Sequence, residues 1–191
     1  LMGAAVALAE GRVPQAEALL REHLKQAPTD VAAIRMFAEV AARVGRNEDA
    51  LNLLARCLEL APGFDAARQH YAMVLHRSNQ PEQALAQIEH LLANDPQHPA
   101  YRNLKAVVLC RIGDYEPAIA IYADLVQRYP DNPRLWMSYG HALKTAGFGE
   151  RAIAAYRHSL ARLPSFGEVW WSLANLKTFR FDAADLATMS E

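Results

Sequence analysis

The sequence predicts an all-α fold, a solenoid of stacked antiparallel helix pairs, and three observations predict it. Prolines recur at a 34-residue step, at Pro28, Pro62, Pro96, Pro130 and Pro164. At an average proline usage of roughly 5%, four further hits at one fixed step have a chance on the order of 10⁻⁵. Small residues form two more ladders at the same step: Ala16, Ala50, Ala84, Ala118, Ala152, and Ala4, Ala38, Ala72, Ala106, Gly140, Ala174. A turn ladder runs through Gly11, Gly45, Asn79, Gly113 and Gly147. One supersecondary unit has been copied along the whole chain.

The elements follow in order from these ladders. A partial unit spans 1–30, and its apolar opening, Leu1 to Ala9, falls in register as a first helix rather than as a signal core, which would carry a basic leader. Complete units follow at 31–64, 65–98, 99–132 and 133–166, and a partial one at 167–181. Within each unit the turn glycine closes the first helix in the left-handed conformation. The sixteen residues between that glycine and the next proline hold a second helix of about three to four turns. In the fourth unit Ala118, Ile121, Tyr122 and Leu125 supply its apolar face, with Pro117 tolerated in the first turn. Pro130 stops that helix, because proline disfavours helical backbone in the residue before it. Asn132 and Pro133 then suit the cap and first position of the next. The small-residue ladders mark where paired helices cross closely, so Ala118→Leu is expected to be damaging, whereas Gln87 is placed on an exposed face. Asp182, with Asp185 three residues on, reads as the cap of a different helix stopping at Glu191, so 182–191 is expected to begin a truncated further element.

A 34-residue helical hairpin of this pattern resembles the tetratricopeptide repeat family, best at Trp136, Tyr139, Gly140, Leu143, Ala152, Tyr156 and Pro164. The unit at 99–132 departs from it, since Arg102 and Lys105 stand at positions that are usually apolar, and Tyr101 and Leu104 are expected to supply the packing instead. The resemblance implies a right-handed superhelix that serves as a protein–protein interaction scaffold, its first helices lining a concave groove.

Composition narrows the function. The 191 residues are 52% hydrophobic, and 20 basic against 21 acidic residues leave a formal charge of −1. That balance argues against a nucleic-acid or membrane-surface binder. No apolar run reaches the roughly 18 residues of a membrane span. Two cysteines, Cys57 and Cys110, make no disulfide framework, which points to a reducing, cytoplasmic compartment. None of the seven histidines pairs with another at helical metal-ligand spacing. No glycine loop cradles a phosphate, and Ser78, Ser138, Ser159, Ser165 and Ser172 lack the setting of a nucleophile. No catalytic residue, metal set or cofactor is therefore assigned to this chain.

By register the groove lining comprises Arg35, Glu39, Arg43, Gln69, Met73, His76 and Arg77, then Asn103, Val107, Cys110 and Arg111, then Met137, His141 and Lys144, and finally Trp171 and Asn175. Arg43, Arg77 and Arg111 recur at the 34-residue step. One reading makes them an anion-selective row for an acidic peptide or a sulfated or phosphorylated ligand. The other has each arginine answer the dipole and free carbonyls of its own helix end. Two ligand modes known in the family are not supported: Glu39 stands where a carboxylate clamp wants asparagine, and Met36, His70, Leu104, Ser138 and Ser172 replace an asparagine ladder. Trp136 and Trp170 occupy the repeat's own packing position.

The segments Trp136–Lys144 and Trp170–Phe181 resemble bacterial proteins that join such repeats to a C-terminal sulfotransferase domain. That resemblance implies an alternative function, a substrate-docking arm ahead of a domain that binds the sulfonate donor 3′-phosphoadenosine-5′-phosphosulfate. The abrupt ends, with terminal aromatic surface expected to lack a cover, are read as those of a fragment.

Overall fold

The computed structural model describes residues 1–176 and 179–189. Lys177 and Thr178 of the tryptophan-bearing segment, and the expected helix stop at Glu191, lie outside the described residues. Among the described residues there are helices and no strands. First helices are α1 (Met2–Ala9), α3 (Val31–Arg43), α5 (Asp65–Arg77), α7 (Pro99–Ile112), α9 (Pro133–Thr145) and α11 (Gly167–Ala174). Second helices are α2 (Val13–Gln26), α4 (Asn47–Leu60), α6 (Pro81–Asn94), α8 (Tyr115–Arg128) and α10 (Gly149–Leu160), and α12 (Ala183–Met189) closes the order. From α3 onward each first helix starts 34 residues after the last, and so does each second helix from α2. The fold is a solenoid of helix pairs.

The ladders have the physical roles their spacing implies. Gly11, Gly45, Asn79, Gly113 and Gly147 all take positive φ, between 59° and 96°, at the turn inside each pair. Asn79 does so at 59°, the one non-glycine residue that does among those described. Ahead of the prolines, Ala27, Ala61, Asp95 and Tyr129 have φ between −127° and −139°, so each second helix stops there. Trp136 Nε1 donates to the Pro130 carbonyl at 2.8 Å and Trp170 Nε1 to the Pro164 carbonyl at 2.7 Å. The repeat tryptophan thus satisfies a carbonyl at the proline turn before it. Asp30 and Asn132 cap α3 and α9, each accepting two backbone N–H groups.

The chain forms two compact units, Leu1–Tyr101 and Arg102–Glu191. In the first, Ala16, Ala38, Ala50, Ala72 and Ala84 are fully buried, and Leu20, Val40, Leu54 and Val74 fill the space around these crossings. Tyr101 is buried and stacks on His98 at 3.8 Å between ring centres, taking the packing role expected of it. Gln87, expected on an exposed face, is half-buried and accepts a hydrogen bond from Arg68 at 2.7 Å. The reason is that α5 faces α6, and the long arginine on α5 reaches across to it.

In the second unit the core gathers Leu143, Ala152, Tyr156, Leu160, Val169, Trp170 and Leu173. Arg102 escapes the apolar environment by pairing with Asp124, which also holds Arg128 at 2.8 Å. Of the two tryptophans at the aromatic end, Trp170 is covered, contrary to expectation, while Trp171 stays exposed. Phe179 and Phe181 pack on the core, Phe181 lies 6.0 Å from Trp170 between ring centres, and Trp170 is 9% exposed. Asp182 and Asp185 form the expected reciprocal cap, with Asp185 N–H to Asp182 Oδ1 at 2.8 Å and Asp182 N–H to Asp185 Oδ2 at 3.1 Å. Asp185 is buried and receives both ends of the Arg157 guanidinium, which fastens α12 to α10. That helix begins 34 residues after Gly149, so it takes the register of a second helix rather than of a different element. Ala174, the last rung of the small-residue ladder, is exposed.

Candidate binding clefts

In each unit a cleft opens beside neighbouring first helices. In the first unit it lies between α3 and α5 and measures about 460 Å³. Arg35, Glu39 and Arg43 line it from α3, and Gln69, His70, Met73 and Arg77 from α5. Six of these seven were named from register; His70 was set aside as a ladder position. It projects one residue from Gln69 on the helix, and helical spacing alone left both faces open to it.

The three arginines of this cleft differ in what they touch. Arg43 donates to Glu39 at 2.6 Å and to the Leu8 carbonyl at 2.8 Å. Leu8 lies in the last turn of α1, where carbonyls lack helical partners. Arg43 therefore caps the preceding first helix rather than its own, which is the physical form that the helix-end reading takes here. Arg35 lies 4.0 Å from the same Glu39, so one carboxylate answers both cations of α3. Arg77 is exposed on the cleft wall, and no described carboxylate or carbonyl holds it. Close by, burial holds His70 below the ordinary imidazole range, with the Glu39 charge opposing and the Arg35 and Arg77 charges assisting. Its Nδ1 is buried without a hydrogen-bond partner. The cleft thus sets three guanidinium groups against one carboxylate and a neutral imidazole.

In the second unit Val107 and Cys110 of α7, Tyr115 and Tyr122 of α8, and Ser138, His141, Ala142 and Thr145 of α9 line a cleft of about 230 Å³. Burial pushes the Cys110 thiol and the Tyr122 phenol up and His141 down, so each stays neutral near pH 7. Behind His141, Tyr156 is buried edge-on at 5.6 Å, its phenol pushed up to about 12.

The other residues named from register sit apart from these two clefts. His76 is half-buried on α5, and Asn103 has its Oδ1 buried without a partner. Arg111 is exposed and Lys144 half-buried on their helices, while Met137 packs against the core. Trp171 is 67% exposed, and Asn175 donates to the Trp171 carbonyl at 2.8 Å. Among the described residues no three His, Cys, Asp or Glu side chains gather as a metal set, and no helix is long and apolar enough to cross a membrane. Cys57 and Cys110 are both free; Cys57 is buried and donates to the Val31 carbonyl at 3.3 Å.

Two family profiles, each described as tetratricopeptide repeat, match the chain, one over 7–56 and 41–108 and the other over 102–132. Among solved structures, MamA (residues 41 to end) from Desulfovibrio magneticus RS-1 superposes with a TM-score of 0.75 at 18% identity, over 85% of this chain and 92% of that one. TTC0263, a thermophilic protein of Thermus thermophilus described as carrying the same repeat, gives 0.73 at 19% identity, over 91% and 95%. YrrB, described as having an unusual peptide-binding site, gives 0.70 at 14% identity, over 88% and 87%. At these identities the likeness is one of fold. No curated protein matches the chain.

Proposed function

The chain belongs to the tetratricopeptide repeat family, and from that premise we propose that it is a protein–protein interaction scaffold holding an acidic peptide segment of a partner against its first helices. The observation that carries this reading is Arg77, exposed on the wall of the α3–α5 cleft with no described counter-ion, while Arg35 and Arg43 share Glu39. A guanidinium that gains a carboxylate forms charge-assisted hydrogen bonds without first giving up an internal pair. Met73 and the stem of Gln69 beside it offer apolar surface for the rest of the segment. The peptide-binding site described for YrrB, a neighbour in fold, supports the same use of the architecture. We place the scaffold in the cytoplasm, in keeping with its two free cysteines. No cofactor or catalytic step is part of the proposal.

The test is fluorescence anisotropy with a glutamate-rich peptide and its glutamine counterpart. The acidic peptide is expected to bind, more weakly as salt rises. Arg77→Gln is expected to weaken it by roughly ten- to a hundred-fold, the worth of a hydrogen bond to a charged group. Equal binding of both peptides, or an unaffected Arg77→Gln variant, refutes the reading. A sulfated polyanion in place of the peptide tests whether sulfate is taken as well as carboxylate. The alternative of a docking arm for a sulfotransferase rests on the resemblance of the tryptophan-bearing segments alone, and the comparisons add nothing to it.

A further inference from the structure

We infer that another cleft of the second unit, lying across the α7–α8 and α9–α10 turns, docks a basic segment of a partner, with the stem of a lysine or arginine on Phe148 and its charge beside Asp114. From the scaffold reading above this takes only that the guest is a peptide; the surface and the sign of the charge are different. The cleft measures about 600 Å³. Asp114, Tyr115, Glu116 and Ile119 line it around the start of α8, and Phe148 and Arg151 around the start of α10, with the small residues Gly113 and Ala146 completing it. Phe148 is the feature that the fold does not require. It follows the turn glycine, and the same register position holds Arg12, Arg46, Gln80 and Asp114 in the preceding pairs. The ring is 47% exposed, so about half of a large apolar side chain faces water. Tyr115 and Ile119, both half-buried, extend that apolar surface along α8.

The charges of the lining decide what fits beside the ring. Asp114 occupies the capping position of α8, yet its carboxylate accepts no backbone N–H, and among the described residues no cation pairs with it. Glu116 is likewise unpaired, although Glu48, Glu82 and Glu150 at the same register position show that a first-turn carboxylate also serves the helix start. Arg151, by contrast, is engaged. Its Nη2 donates to the Tyr139 hydroxyl at 3.2 Å, and its guanidinium lies 5.1 Å from the Phe148 ring centre. A cationic guest therefore gains carboxylates that hold no other partner, whereas an anionic guest meets them as like charge. The Tyr115 hydroxyl both donates and accepts, so it does not alter that choice. A lysine or arginine has an apolar stem that can lie on the exposed Phe148 ring while its charged head stays hydrated beside Asp114.

The experiment is fluorescence anisotropy of the whole chain with a labelled peptide alternating leucine and lysine, and with its glutamine counterpart. The lysine peptide is expected to bind more tightly, and more weakly as salt rises. Asp114→Asn is expected to weaken it about two- to five-fold, the scale of one exposed ion pair. Phe148→Gln matches the equivalent Gln80, so the fold is expected to stand, as circular dichroism checks, while binding falls about ten-fold. Arg151→Gln removes a like charge and is expected to tighten binding. Equal binding of the two peptides overturns the inference, as does an unaffected Phe148→Gln variant. So does weaker binding in Arg151→Gln, which would mark the cleft as one for an anion. Arg77→Gln is expected to leave the lysine peptide's binding unchanged. Loss of acidic-peptide binding with lysine-peptide binding intact then faults only the first-unit reading, and the reverse pattern faults only this one.

Discussion

Replacing Gly140 by alanine sets two effects against each other inside the α9–α10 pair. Within a helix, alanine is favoured over glycine by about 0.8–1.0 kcal/mol. Against this, a Cβ at residue 140 would lie 2.5 Å from Tyr156 Cε1, 2.6 Å from Cδ1 and 3.0 Å from Cζ. Carbon atoms pack at about 3.5–4.0 Å, so the ring must retreat by about 1 Å. Tyr156 is fully buried and stands edge-on to His141, so it has no solvent into which to swing. Overpacking of this kind costs about 1–3 kcal/mol and occasionally more, and three clashing ring atoms place the site at the upper end. The net expectation is a loss of about 2 kcal/mol, or about 4–8 °C in melting temperature for a chain of this size.

Thermal and urea unfolding followed by circular dichroism measure it. A second variant tests the cause. By register Leu54 stands to Ala38 as Tyr156 stands to Gly140, so the smaller side chain accommodates alanine. In a Tyr156→Leu background, Gly140→Ala is therefore expected to be neutral or stabilising, leaving a coupling energy of about 2 kcal/mol. By the same register Ala106 stands opposite Tyr122, so a tyrosine ring can coexist with alanine when it settles elsewhere. An unchanged or raised midpoint for Gly140→Ala alone would show that Tyr156 shifts as cheaply, and the packing argument would fail.

Arg43→Gln is expected to destabilise the first unit by about 1 kcal/mol and to release α1, since both of its hydrogen bonds go, while Arg77→Gln stays within about 0.5 kcal/mol; amide exchange of α1 and unfolding midpoints check the pair. Gln87→Ala is expected to cost about 1 kcal/mol by leaving one terminal nitrogen of Arg68 without its partner, the other keeping the Pro62 carbonyl, and urea unfolding reads it. Arg157, by its hydrogen bonds, holds Asp185 below the usual carboxylate range. Its stabilising effect is therefore full above the unfolded-state value of about 3.9 and is lost as pH falls through the lower folded value. Amide exchange in α12 is expected to accelerate only below about pH 4, and Asp185→Asn should give the same acceleration at pH 7.

What was legible in the sequence is what one residue type does alone. Left-handed turns need glycine or asparagine, so five positions announced themselves. Prolines announced the helix ends because their effect on the preceding residue is local. The pairing of Asp182 with Asp185 was legible for the same reason. Contacts between long side chains on different helices were not. Arg43 reaches Leu8 across 35 positions, and Arg68 reaches Gln87 across 19. Both are extended side chains whose rotamers, rather than their register, decide what they meet. The arginine ladder accordingly looked uniform in sequence, although Arg43 and Arg77 do different things. His70 and His141 were likewise legible as residues, but their neutrality comes from burial that a helical period does not encode.

The last helix shows how the repeat phase can outlast its signature residues. Continuing the ladders by one step places Phe181 where the turn glycine belongs and Leu186 where the crossing alanine belongs. Both substitutions break the pattern, and on that ground the segment reads as foreign to the repeat. Yet α12 starts in phase with every second helix before it. The phase survives because the spacing of a second helix depends on the helix it packs beside, and α10 still offers Arg157 for Asp185 to grip. The signature is lost because the close crossing is not made: Ala174 and Leu186, which would meet at it, are both exposed. Small residues are required only where two backbones approach. Without that approach a leucine costs nothing sterically, and the apolar cover for Trp170 comes instead from Phe179 and Phe181 in the connection. A bidentate ion pair and two phenylalanines thus replace an alanine crossing and a glycine turn, which keeps the register of the pair without its usual residues.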